Sequence, residues 1–319
     1  MTNEIWYDHF MDILSEKYST KAKLAQALMD LLCMEREAVY RRLRRDVIFP
    51  AHEIVKIASS LNISLDEVIG VKSQKILFQM QPLNYTNPSK EDMNFVRKRV
   101  QVLEQLKDVT GSEYMVVCNH LSRSLSSGFE ILYRFLIFRW SYEYCNNCND
   151  TFAGITIPEI FRKEVDKYYR SMKYVTNTSY VLDSMLFDNL IREIQFFHSI
   201  FLVTDEEKEL IKKELHKLLD YLLEIANTGC FPETKNKVQI YVSMLNINTN
   251  YSYFHTGNTE MCRVHAFNTY DLITNDPAMI ENFKTWMQKK KRTSIQISEV
   301  DEKTRVEFFK RQRELVDGL

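Results

Sequence analysis

The sequence predicts an α+β fold, with an all-α bundle at the N-terminus followed by a larger mixed α/β domain, and three observations carry that prediction. Residues 20–70 place apolar side chains at helical spacing between short polar breaks. From about Glu113 onward, candidate strands alternate with candidate helices, and the best strands fall between Val238 and Phe267 with Asn- and Thr-rich turns between them. A chain of 319 residues with 45% hydrophobic residues is long enough for two folded domains. The expected division is a helical domain over 1–72, a linker with a strand over 73–89, and a mixed α/β domain over 90–319.

Taken in order, Ile5, Trp6, Phe10, Ile13 and Leu14 keep helical spacing and predict a first helix. Leu24, Ala25, Leu28, Leu31 and Leu32 form one stripe of a second, with Ser19 or Thr20 as its N-cap. A third, from about Glu35 to Arg45, buries Val39 and Leu43, four residues apart, and turns Arg36, Glu37, Tyr40, Arg41 and Arg44 outward. Residues 75–83 alternate as a strand, and Asn84–Ser89, with its Asn-Pro, reads as a loop. Met93, Val96, Val100 and Leu103 mark a helix from about Lys90 to Lys107, whose stripe is either a dimer seam or packing on the chain's own core. Glu113–Cys118 is a strand. Leu125, Phe129, Leu132, Leu136 and Trp140 mark one strongly apolar helix, and further helices fall at about 158–174, 186–201 and 205–226. Strands begin at Val238, Tyr251 and Met261, and helices at 277–290 and 301–316 flank a short strand at Ser294–Ile297.

Between Arg36 and Arg45 lie five arginines (36, 41, 42, 44 and 45), no lysine and one acid, Glu37. Ordinary exposed helices mix acids in at i to i+4 spacing. Arginine without lysine suits planar recognition of guanine or phosphate. The segment from Thr20 to Gly70 resembles the helix-turn-helix of the Cro/C1-type (lambda-repressor-like) regulators. Leu24, Ala25 and Leu28 stand where that family has Leu-Ala and Leu before its turn. Val39 leads the recognition helix, Pro50 follows it, and Ile57, Ala58, Leu61, Ser64, Leu65, Asp66 and Glu67 match its closing helix. The turn region reads Leu31-Leu32-Cys33-Met34, with no glycine, and Leu24 to Val39 spans about one helical turn more than the family pattern. The resemblance covers the first fifth of the chain. It implies double-stranded DNA as partner, with Arg36, Glu37, Tyr40, Arg41, Arg44 and Arg45 as the contact set: Arg41 and Tyr40 toward bases, Arg44 and Arg45 toward phosphates.

The net charge is −1, so any nucleic-acid contact comes from a local patch. No segment is long enough and apolar enough to span a bilayer, and the expectation is a soluble, cytoplasmic protein. Six unevenly spaced cysteines read as reduced thiols. Seven glycines leave no Gly-x-Gly-x-x-Gly and no Walker loop, and Gly-x-Ser-x-Gly and His-Glu-x-x-His are also absent. No enzymatic activity, cofactor or metal is therefore expected. Cys145-Asn-Asn-Cys148 is half of a zinc pattern, toward which His120, Cys230, Cys262 and His265 could converge only through the fold. Cys118 and His120 are two apart on the expected strand, a spacing that suits packing or a nucleophile–base pair. Tyr241, Tyr251, Tyr253, Phe254 and Phe267 read as sheet core or as the lining of a ligand pocket. Lys284, Lys289, Lys290, Lys291 and Arg292 either simply place cations at a helix C-terminus or contact phosphates of flanking DNA or an anionic effector. The expected protein is a DNA-binding transcriptional regulator, homodimeric because one helix-turn-helix reads only a few base pairs. Its large domain exceeds what dimerisation needs, which raises the expectation of a small-molecule effector. The rival reading is a protein-interaction adaptor or an enzyme whose helical domain docks a protein partner.

Overall fold

The structure, a computed structural model, describes residues 5–68, 76–81, 83–144, 151–257, 259–266 and 270–319. It divides into two compact units, Met1–Lys75 and Ile76–Leu319.

The first unit is all-helical: α1 (Ile5–Glu16), α2 (Lys21–Leu32), α3 (Arg36–Leu43), α4 (Ala51–Leu61) and the four-residue α5 (Leu65–Val68). The predicted stripes meet in one core, where Phe10, Leu14, Leu28, Val39 and Ile57 are all completely buried. The single closing helix read from the sequence is two. Asn62 takes a left-handed conformation after Leu61, and the N–H of Ile63 returns to the carbonyl of Ala58, which ends α4 before α5 begins.

The second unit is built on one mixed eight-stranded sheet in the order β1-β7-β6-β5-β2-β3-β4-β8. Its strands are β1 (Gln79–Gln81), β2 (Glu113–Cys118), β3 (Asn177–Asp183), β4 (Lys237–Ser243), β5 (Tyr251–Thr256), β6 (Thr259–Ala266), β7 (Tyr270–Thr274) and β8 (Ile295–Gln296). β2, β3 and β4 are parallel, and every other pairing is antiparallel. The helices are α6 (Lys90–Glu104), α7 (Arg123–Ser126), α8 (Glu130–Tyr144), α9 (Glu159–Ser171), α10 (Leu186–Ser199), α11 (Asp205–Thr228), α12 (Pro277–Arg292) and α13 (Glu302–Asp317).

Two cores lie on opposite faces of the sheet. On one, Tyr114, Val116, Tyr180, Leu182, Ile240 and their same-face neighbours pack against α6 to α11 and α13. On the other, Met115, Val117, Val181, Tyr241 and Tyr253 pack against Ile280, Phe283 and Met287 of α12 alone. The α6 stripe joins the first of these cores through Val96, Val100 and Leu103, so it packs within the chain and is not a seam between chains. The apolar helix predicted across Leu125–Trp140 is broken into α7 and α8. At Gly128, in the break, an added Cβ would lie 2.3 Å from the ring of Tyr169, so only glycine admits the close approach of α9.

The registers bring the carboxyl ends of β2, β3, β4 and β6 and the amino ends of β5 and β7 to the same end of the sheet. The loop from Met244 to Asn250 leaves β4 and crosses the ends of β3 and β2 to reach β5. It is tied down on the way: the Ile247 N–H donates to Asp183 Oδ2 at 2.8 Å. The Asn250 carboxamide accepts from the N–H groups of Asn119 and His120 and donates to the His120 carbonyl. Among the described residues no helix is long and apolar enough to cross a membrane.

Candidate nucleic-acid interface

Thr20 caps α2 by accepting from the N–H of Lys23 at 3.3 Å, and Leu24, Ala25 and Leu28 turn inward. The helix ends at Cys33, which holds φ 54° in the left-handed region that usually takes glycine. Its N–H and that of Met34 both return to the carbonyl of Met29, so the turn missing a glycine in sequence makes the glycine-type stop with cysteine. Only Cys33, Met34 and Glu35 separate α2 from α3. Val39 (0% exposed) and Leu43 (9%) bury the inner side of α3 and fix which side faces out.

That outer side carries Arg36, Glu37, Arg41 and Arg44 exposed and Tyr40 half-buried, with the Arg36 guanidinium 5.5 Å from the centre of the Tyr40 ring. The five arginines then separate by what they bond. Arg42 is half-buried and makes a two-pronged pair with Glu53, at 2.9 and 3.1 Å, that clamps α3 to α4. Arg44 lies just past the helix end and pairs with Asp46 at 3.0 Å and Glu37 at 3.3 Å. Arg45, in left-handed backbone at φ 67°, reaches Asp8 at 2.5 Å and Asp12 at 3.3 Å on α1. Arg36 and Arg41 make no ion pair among the described residues. Helix α3 stops at Leu43, two residues short of the predicted end, so Arg44 and Arg45 lie beyond it and already have carboxylate partners.

The unit supports this face by burial elsewhere. Phe49 packs under Arg42, and its N–H donates to the Tyr7 hydroxyl at 3.0 Å, while burial pushes the Tyr7 phenol up and keeps it neutral. Residues 1–75 hold eleven basic and eleven acidic side chains, so the exposed arginines of α3 form a local patch on a unit that is not basic as a whole.

In the larger unit the remaining candidates resolve as follows. Cys145 and Cys148 lie outside the described residues. Among the described residues no group of three His, Cys, Asp or Glu side chains is arranged to hold a metal. Cys230 bridges to Lys237 at the amino end of β4, the end of the sheet opposite His120, and Cys262 faces α12. Cys118 is fully buried and burial pushes its thiol up, while His120 falls in the loop after β2, so strand alternation does not relate the two. Tyr241 and Tyr253 are core and Tyr251 meets Trp286 edge to face, whereas Phe267 lies outside the described residues. Of the α12 cations, Lys284 pairs with Glu260, Lys290 caps the carbonyls of Leu245 and Asn246, and Lys291 reaches Gln239.

His120 and His265 do converge, with ring centres 5.3 Å apart, but their company is cationic. Asp271 on β7, 1% exposed, is met by Arg123 at 2.7 Å, His265 at 3.2 Å, Arg99 at 3.5 Å and Arg263 at 3.6 Å. This cluster escaped sequence reading because its members come from α6, α7, β6 and β7. The nearest signal was Arg263 and His265 alternating with Cys262 and Val264, which reads as a solvent face but points into the helical layer. No protein-family model, no curated protein and no solved structure matches the chain.

Proposed function

We propose that the chain is a sequence-specific DNA-binding regulator that acts as a homodimer and reads the major groove with α3. The observation that carries this reading is the outer face of α3, where Arg36, over the Tyr40 ring, and Arg41 are exposed with no ion pair among the described residues, directly after a three-residue turn from α2. A short helix so presented offers bidentate guanidinium donors to guanine edges or phosphates. Arg42, Arg44 and Arg45 organise that face: their carboxylate partners fix the helix and its exit. One such helix reads few base pairs, which favours two copies on symmetric half-sites. The larger unit then provides the dimer and responds to a small molecule, with α3 and not a catalytic centre as the output.

The test is selection of bound duplexes from a random pool by full-length protein, followed by titration of the selected site and of random DNA at several salt concentrations. Arg41→Ala should cost about 1–3 kcal/mol on the selected site and little on random DNA. Arg45→Ala should leave both affinities near the parent value, because its guanidinium is held by Asp8 and Asp12. A pool that yields no enriched sequence, or an Arg41→Ala protein that binds the selected site as tightly as the parent, would overturn the reading.

A further inference from the structure

We propose that the polar cavity walled by Arg123, Arg263 and His265 binds the phosphoryl group of a small phosphate monoester. The rest of that molecule occupies the larger cavity beside His120. The first support is charge. Arg99, Arg123 and Arg263 gather round one carboxylate, Asp271, which among the described residues is also the only carboxylate lining this cavity. Two positive charges are left over before any on His265, in a place where burial makes uncompensated charge costly. Burial works against the Asp271 charge, yet Arg123 and Arg263 hold its carboxyl well below the usual carboxylate range. Arg99, desolvated first and repelled by Arg263 second, falls to about 10. A dianion balances that surplus, whereas a carboxylate would leave half of it.

The donors make the second support. Arg263 Nε, on the wall of this cavity, is buried without a hydrogen-bond partner among the described residues, although buried guanidinium N–H groups are normally satisfied; Arg99 Nη2 is likewise without one, but Arg99 lines the adjoining apolar cavity and acts here through its charge. Guanidinium forks match the tetrahedral oxygens of phosphate bidentately. Place and size add to this. The cluster lies at the carboxyl ends of β2 and β6, beside the point where β2 turns from a parallel neighbour to an antiparallel one, and open α/β sheets bind ligands outside such carboxyl ends. The cavity of about 60 Å³ suits one phosphoryl group. A second cavity of about 350 Å³ shares His120 and Leu121 with it, and Leu136, Leu190, Asn189 and Arg192 give it a mixed wall for a small organic body. His120 stands between the two. Burial first, then His265, Arg139 and Arg123, hold its imidazole well below its ordinary value. Its Nδ1 faces Asn119 Oδ1 at 2.7 Å and its Nε2 is buried with no hydrogen-bond partner among the described residues, which leaves Nε2 an acceptor for a hydroxyl of the ligand.

This inference is independent of DNA binding, since all of these residues belong to the larger unit. The experiment is thermal denaturation and phosphorus NMR of full-length protein at constant ionic strength, with chloride, acetate, inorganic phosphate and a nucleoside 5′-monophosphate as probes and no DNA present. Phosphate should raise the melting temperature where chloride and acetate do not, and the monophosphate should do so at lower concentration. Arg263→Gln should weaken both phosphate probes on the order of tenfold or more. Arg192→Gln, an exposed change on the larger cavity that tests the idea even if Arg263→Gln does not fold, should weaken the monophosphate alone. Equal shifts with acetate and phosphate, or a monophosphate that binds Arg192→Gln no more weakly than the parent, would overturn the assignment. Phosphate binding without DNA binding would instead leave this site standing and remove the proposed regulator.

Discussion

Arg41 and Arg42 are neighbours in sequence, and of the two only Arg42 has an ion-pair partner among the described residues. The difference follows from the helix period: Val39 and Leu43 point inward, so position 42 lies at the edge of the buried side and finds Glu53, while position 41 faces out. Sequence spacing identified the outward set but not the partners of Arg45, because Asp8 and Asp12 are brought to it only by the fold. His120 shows the same dependence on surroundings and supports a pH prediction. Its folded-state value is depressed, so on acidification the unfolded chain takes up a proton near pH 6.5 that the folded chain refuses. Its destabilising effect is absent above that pH and grows as pH falls toward the folded-state value. The urea midpoint of the full-length protein should therefore fall between about pH 7.5 and about pH 5. His120→Gln should reduce the slope by up to about 1.4 kcal/mol per pH unit. Identical slopes in the two proteins would show that His120 does not contribute.

At the scale of elements, the end of α2 is the sharpest case. A cysteine in the left-handed region bears a strain of about 1 kcal/mol that glycine lacks, and Cys33 is exposed, so little packing is lost on replacement. Cys33→Gly should stabilise the protein by about 0.5–1 kcal/mol in urea unfolding, and a lower midpoint would mean that its thiol contributes more than its backbone costs. Helices with clear stripes were legible within a few residues, α1, α2 and α6 among them. β3 was not. Six of its seven residues are buried, so it lacks the alternation that marks a half-exposed strand, and Asn177-Thr-Ser-Tyr-Val-Leu-Asp183 passed as a link between two helices. β7 was missed for a different reason: it is only five residues long, and its one charged residue, Asp271, is buried among arginines.

For the whole molecule, the boundary at Lys75 has a direct consequence, since the helical unit has a core of its own with Phe10, Leu28, Val39 and Ile57 at its centre. Residues 1–75 expressed alone should unfold cooperatively by circular dichroism, with a stability of roughly 4–10 kcal/mol. A gradual, non-cooperative melt would mean that the unit depends on the rest of the chain. The two-part organisation was readable because helical and strand periods change near residue 75. The cationic cavity was not, because no local pattern links Arg99 to Asp271, 172 residues later. That separation also bears on synthesis. β1 is made early in the larger unit, yet Met80 pairs with Leu272, and Arg99 and Arg123 wait for the neighbouring Asp271. One late strand thus supplies both the partner of the sheet's first strand and the counter-ion of its arginines. Until Tyr270–Thr274 leaves the ribosome, the nascent chain carries an unpaired edge and an uncompensated cationic interior. The edge of β1 and the charge of the arginine cluster are therefore completed together, when Tyr270–Thr274 joins the sheet.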